Sequence, residues 1–176
     1  VAISSSESSP TNVSPIPISV TFSKDVTGFE QGDVTIGNGS ISSFSGSGSS
    51  YSFDVTPVID GAVTVDIPDT IAYDDEDNGN LAASQFSIVY DSSRPSVSLS
   101  SSETTPTNSS PFDIEIAFTE PVANVEESNI TVGNGSVGGI SGADSLYQVS
   151  IIPEEDGTVS ISLIENSVYD LAGNGI

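Results

Sequence analysis

Cysteine, histidine, methionine and tryptophan are absent from this 176-residue chain, and Lys24 and Arg94 are its only basic side chains. Each absence removes a class of chemistry. Without Cys or His there is no Ser-His or Cys-His nucleophile pair, no thiolate or imidazole zinc site and no disulfide. Two cations against 25 acidic residues, a net charge of −23, cannot displace the counterions of a nucleic acid or hold an anionic membrane. No apolar run approaches the ~20 residues of a membrane span, and no stretch has the pattern of a signal peptide. The lack of Cys suits an extracellular chain that does not rely on disulfides. What remains open is carboxylate chemistry: a hard cation such as calcium, or a two-carboxylate hydrolase. Hydrophobic residues make up 35% of the chain, spread as short β-branched runs, which favours folded domains over disorder.

An internal repeat organises the rest. Shifted by 96 residues, the chain aligns with itself without a gap, and residues 1–80 share 31 identities with 97–176. Ser4-Ser-Ser-Glu7 falls on Ser100-Ser-Ser-Glu103, Pro10-Thr-Asn12 on Pro106-Thr-Asn108, and Gly37-Asn-Gly-Ser40 on Gly133-Asn-Gly-Ser136. Near the end of each copy, Tyr73-Asp74 and Asn78-Gly79 fall on Tyr169-Asp170 and Asn174-Gly175. Repetition of this kind predicts two homologous domains, over 1–95 and 96–176 with a linker at about 91–96. The linker is short and contains Pro95, which argues for a tight joint.

Within each copy, apolar residues alternate with polar ones: Ile16, Ile18, Val20 and Phe22; Tyr51, Phe53 and Val55; Val63, Val65 and Ile67; Phe86, Ile88 and Tyr90. Period-two alternation between turn signals predicts half-buried strands. Asn38-Gly39, Asp60-Gly61 and Asn78-Gly79 are turn pairs that accept positive φ. No segment has a sustained helical period, so the fold class is all-β with essentially no helix. Six or seven short strands in each copy point to a β-sandwich of the Ig-like type. The second copy has no counterpart to the strand around Phe86–Tyr90. A simple truncation and a strand supplied by another chain are the two explanations.

Phe22-Ser-Lys-Asp-Val26, Asp33-Val-Thr-Ile-Gly-Asn-Gly39, Tyr51-Ser-Phe-Asp-Val-Thr-Pro57, Asp60-Gly-Ala-Val-Thr-Val65 and Tyr169-Asp-Leu-Ala-Gly-Asn174 resemble bacterial Ig-like tandem repeat domains. Such domains form long arrays in large surface proteins of the adhesin and biofilm type. The resemblance implies an extracellular location and neighbouring Ig-like repeats as partners. It also implies stiffening by calcium at the joint between repeats, as in cadherin-like arrays.

The candidate ligands are all oxygen donors. Asp74, Glu76, Asp77 and Asn78 lie in the densest acidic run, with oxygens at positions one, three and five and Gly79 at position six, like the start of a calcium loop. Glu at position three and Gln85 at position twelve depart from that pattern. In the second copy Asp170 and Asn174 persist but Ala172 replaces Glu76, and the surviving Asp-x-x-x-Asn-Gly skeleton equally suits an Asx-stabilised turn. Topology also places Glu120 and the Tyr169–Gly175 loop at the linker end of the second domain. Asp91 on the linker, with Glu7 and Asp60 from the first, completes a candidate interdomain site. Glu7 and Glu103 equally suit the polar end of a first strand. Lys24, replaced by Glu120 in the second copy, reads as a salt-bridge partner or an exposed side chain rather than half of an intramolecular amide.

Three functional readings follow. The repeat, the short linker and the Ser-rich surface favour a non-catalytic extender module of a bacterial surface array. Alternatives are a carbohydrate- or protein-binding module, with a glycan or cell-surface ligand, and a filament subunit completed by strand donation. An enzyme is disfavoured, because no acidic pair is flanked by the aromatic and basic residues that position a sugar.

Overall fold

The structure is a computed structural model that describes residues 1–123 and 125–176. The chain divides into two compact units, Val1–Ser92 and Ser93–Ile176, so the division falls within the segment read above as the linker. Each unit is built from antiparallel strands. The only helical turns among the described residues are two 3₁₀ segments, Gln31–Asp33 and Glu127–Asn129.

In the first domain β1 (Ala2–Ser5), β2 (Ile16–Val26) and β4 (Gly39–Pro57) form one sheet in the order β1-β2-β4. The facing sheet contains β3 (Thr35–Gly37), β5 (Gly61–Asp66) and β6 (Phe86–Tyr90), in the order β3-β5-β6. The alternation in the sequence decides which face is buried. Ile16, Ile18, Val20 and Phe22 point inward from β2, Tyr51, Phe53 and Val55 from β4, and Val63 and Val65 from β5, all nearly inaccessible to water. Together with Phe29, Ile67 and Ile88 they form a single core. Burying each such side chain contributes about 1.5–3 kcal/mol of transfer free energy. Phe22, Phe29 and Tyr51 meet edge-on, with ring centroids 5.0–5.9 Å apart, the geometry that ring quadrupoles favour.

The second domain repeats the plan. β7 (Val97–Ser100), β8 (Phe112–Phe118), β11 (Gly135–Ala143) and β12 (Leu146–Pro153) form a sheet in the order β11-β12-β8-β7. β10 (Ile130–Gly133) pairs with β13 (Ser160–Leu163), and β9 (Val122–Ala123) with β14 (Tyr169–Asp170). The register is conserved under the 96-residue shift: Gly37 faces Thr64, and Gly133 faces Ser160. Ile116, Val149, Ile151 and Val168 are fully buried in this core.

Turn residues divide into two kinds. Asn38 and Asn134 adopt φ of 57° and 59°, as their Asn-Gly pairs predict, and their amides brace the neighbouring turn by bonding the backbone of Ile59 and Glu155 respectively. Asn78-Gly79 departs from the expectation. The left-handed residue of that loop is Asp77, with φ 61°, and the glycine is needed for space: a Cβ on Gly79 would lie 3.1–3.2 Å from Thr70. Gly173, with φ 96°, takes the place of Asp77 in the second copy.

Candidate metal centre

The two Asp-x-x-x-Asn-Gly loops are built alike and differ in their charge. In the first, the Asp74 carboxylate organises its own turn. Oδ1 accepts hydrogen bonds from the N–H of Glu76 at 3.0 Å, the N–H of Asn78 at 2.9 Å and the Asn78 amide at 3.1 Å. The Asp74 N–H donates to the Asn78 carbonyl at 3.1 Å, and the Asp77 N–H to the Asp74 carbonyl at 3.1 Å. The Asx-turn logic of Asp at the first position therefore closes the loop, and Asp77 serves it through its backbone.

The remaining oxygens face a protein cation. Lys24 Nζ lies 2.8 Å from Asp74 Oδ2 and 3.2 Å from Glu76 Oε2. Asp74, Glu76 and Asn78 thus do come together, around the ammonium that β2 delivers from the far side of the sequence. The hydrogen bond from Lys24, followed by those of the Asn78 and Glu76 backbones, holds the Asp74 carboxyl well below the usual carboxylate range. Hydrogen bonds to Asp74 and Glu76 in turn raise the Lys24 ammonium above its ordinary value. Both groups are held charged, whereas amide formation needs a neutral amine and a protonated acid. The contact is a salt bridge.

The sign of the pH dependence follows. A depressed folded-state pKa stabilises the protein above the ordinary Asp value of 3.8, and this contribution is lost as pH falls through the lowered one. Lys24→Met should return the Asp74 carboxyl toward its ordinary titration range, lowering the stability of the first domain near neutral pH and flattening its loss of stability toward acid. A carbon-detected NMR titration of the Asp side chains checks this. An unchanged Asp74 midpoint would show that the turn alone sets it.

In the second domain the turn is kept. Asp170 Oδ1 accepts the N–H of Ala172 at 2.9 Å and of Asn174 at 2.8 Å, and Oδ2 accepts the Asn174 amide at 2.8 Å. Both residues are buried, Asp170 at 4% exposure. The sequence position of Lys24 now belongs to Glu120, which is half-buried. Carboxylate oxygens of Glu120 and Asp170 lie within 4.8 Å of each other. An ion pair in one repeat has become two carboxylates in the other. Like charges at this distance, with one of them out of water, repel unless a cation or a proton intervenes.

The other candidates have local roles. Asp91 directly follows β6, and its N–H donates to the Thr11 carbonyl at 3.0 Å. Asp60 Oδ1 accepts the Ser92 N–H at 2.9 Å and hydroxyl at 2.7 Å. Glu7 accepts the Ser6 hydroxyl at 3.2 Å, and Glu103 those of Thr107 and Ser109 at 2.9 and 3.0 Å. The sequence by itself assigns Lys24 to no particular acid. The signal is present, however, since one 96-residue shift carries Lys24 and Asp74 together onto Glu120 and Asp170.

Two sandwiches with a shared register invite a test of family. The sequence pattern of the bacterial Ig-like domain matches residues 1–90 and again 91–175. The chain belongs to the bacterial Ig-like domain family. No curated protein and no solved structure gives a match to it. The two Ig-like domains are thus tandem members of one family: their cores exchange one apolar residue for another, as Phe53 for Val149, while Lys24 is exchanged for Glu120. No helix among the described residues is long and apolar enough to cross a membrane.

Proposed function

We propose that these Ig-like domains are extender modules of an adhesin-like array on a bacterial surface, and that calcium stiffens the array where one repeat joins the next. The observation that carries the reading is the exchange of the Lys24–Asp74 ion pair for the Glu120 and Asp170 carboxylates within an otherwise repeated turn. A module whose only task was to fold would be served by the ion pair in both copies. A second carboxylate beside Asp170 raises the local negative charge, and hard carboxylate oxygens suit calcium, which completes its shell with carbonyls and water.

Chain connectivity supports placing this at the joint. Ser96 donates its N–H to Thr119 Oγ1 at 2.9 Å, which ties the entry of the second domain to the residue preceding Glu120. Asp91 lies only five residues before Ser96 and is the natural third ligand. Calcium there would crosslink the linker to the second domain and stiffen the array. The excess negative charge suits calcium-rich or saline surroundings, where screening weakens self-repulsion.

Calcium titration with calorimetry and small-angle scattering tests the reading. Calcium should raise a melting transition by the amount linkage requires, about 2.7 kcal/mol at a hundred times Kd, and lengthen the particle relative to chelator. Unchanged melting and unchanged dimensions would remove calcium from the proposal.

A further inference from the structure

Asn-Gly pairs occur at Asn38, Asn78, Asn134 and Asn174. In such a pair the backbone nitrogen of the glycine can approach the side-chain carbonyl of the asparagine, because no Cβ stands in the way. The pair is therefore a reactive element as well as a turn element, and the fold treats the four differently. Asn38 and Asn134 are clamped at both ends of the amide. Asn38 Nδ2 donates to the Ile59 carbonyl at 2.9 Å, and Oδ1 accepts the Ile59 N–H at 3.2 Å. Asn134 repeats the arrangement on Glu155, at 3.0 and 3.3 Å. Asn174 is buried, and its amide donates to Asp170 Oδ2 at 2.8 Å.

Asn78 has neither protection. It is exposed, and so is Gly79. Its amide is held through the nitrogen, which donates to Asp74 Oδ1 and Oδ2 at 3.1 and 3.2 Å. Among the described residues, its Oδ1 accepts no hydrogen bond and the Gly79 N–H finds no acceptor. The loop cannot discard the pair either. Thr70 comes so close that a Cβ at residue 79 has no room, so the packing that closes the first sandwich keeps a glycine after Asn78.

We propose that Asn78 is a site of slow self-modification, at which the folded first domain converts asparagine to aspartate and isoaspartate. The Gly79 nitrogen gives up its proton to hydroxide and attacks Asn78 Cγ. The Cγ–Nδ2 bond breaks, and Nδ2 takes a proton from water and leaves as ammonia. The product is a succinimide ring. Water then opens the ring at Cγ to give aspartate, or at the backbone carbonyl to give isoaspartate, in which the chain runs through Cγ. Either product removes the amide donor from Asp74 and adds a carboxylate to a loop where Asp74 and Glu76 already share the Lys24 ammonium, and like charges at such distances repel. Isoaspartate also inserts a methylene into the main chain beside Gly79, which bridges Tyr73. Tyr73 in turn exchanges backbone hydrogen bonds with Thr27 at 2.8 and 3.0 Å. The modification therefore loosens the closure of the first sandwich and leaves the second domain unaffected.

The test uses the full chain, isotope-labelled for NMR and aged at mildly alkaline pH. The side-chain amide signals of Asn78 should decay about tenfold or more faster than those of Asn38 and Asn134, the factor that two hydrogen bonds of ordinary net strength supply. Ammonia should be released in step with the decay. In guanidinium chloride the four pairs should decay at similar rates, because only the fold distinguishes them. The aged chain should show a lowered melting transition for the first domain and an unchanged one for the second. Asn78→Gln, which keeps an amide but moves its carbonyl out of reach of Gly79, should stop both the decay and the change in melting. Decay of Asn38 or Asn134 as fast as that of Asn78 overturns the proposal. So does an Asn78 signal that persists in the folded chain while the unfolded chain reacts. The same order of rates in guanidinium chloride as in the folded chain would assign the difference to local sequence and overturn the structural argument.

Discussion

Phe53→Ala is expected to cost the first domain roughly 3–5 kcal/mol, a large fraction of the stability of a small domain. Phe53 is 2% exposed in the C-terminal half of β4, opposite Ile18 on β2 and stacked on Phe44 at a centroid distance of 6.1 Å. Truncation removes the transfer free energy of the ring and leaves a cavity between two sheets whose backbones are hydrogen-bonded and cannot close over it. The equivalent residue in the second domain is Val149, fully buried. Val149→Ala removes far less volume, so its cost should be clearly smaller despite the identical place in the fold. Urea unfolding of each variant measures both. Equal losses at the two sites would show that position, rather than buried volume, sets the penalty.

Glu120→Lys should do the opposite of most charge reversals and stabilise the second domain. It places an ammonium beside Asp170, where the first domain has Lys24 at 2.8 Å from Asp74. Exchanging a repulsion for an attraction next to a buried carboxylate is worth about 1–2 kcal/mol, discounted for the half-exposed position of residue 120. The same substitution should abolish the calcium response, because a cation would then be built into the chain. Calorimetry of the wild type and Glu120→Lys, each with calcium and with chelator, reads both effects. A variant that still gains stability from calcium, or that melts lower than the wild type in chelator, would place the cation elsewhere. Glu120→Gln is the useful companion: it relieves repulsion without supplying charge and should fall between the two.

Much of the fold was legible because it rests on local rules applied twice. Alternation at Ile16–Phe22 and Tyr51–Val55 predicted strands whose inward faces are the ones buried. Asn38-Gly39 and Asn134-Gly135 predicted tight turns with the asparagines left-handed. The acidic loop was less legible. Its pattern suggested oxygens gathered on an external ion with Gly79 at the bend, whereas Asp77 bends the chain and Asp74 spends one oxygen on its own backbone. Ligand spacing and turn-forming spacing are the same in Asp-x-x-x-Asn-Gly, so the pattern cannot separate them.

The sequence by itself determined two tandem all-β domains and the alternating residues of their cores, and a repeat without gaps requires both copies to reuse one set of pairings. Only the tertiary structure decided what faces what across long separations. Lys24 and Asp74 are fifty residues apart and meet because β2 runs past the closing loop of the first sandwich. Glu120 and Asp170, also fifty residues apart, are brought together in the same way in the second. Burial and charge pairing belong to a residue's neighbours in space, and those are settled when the sheets close.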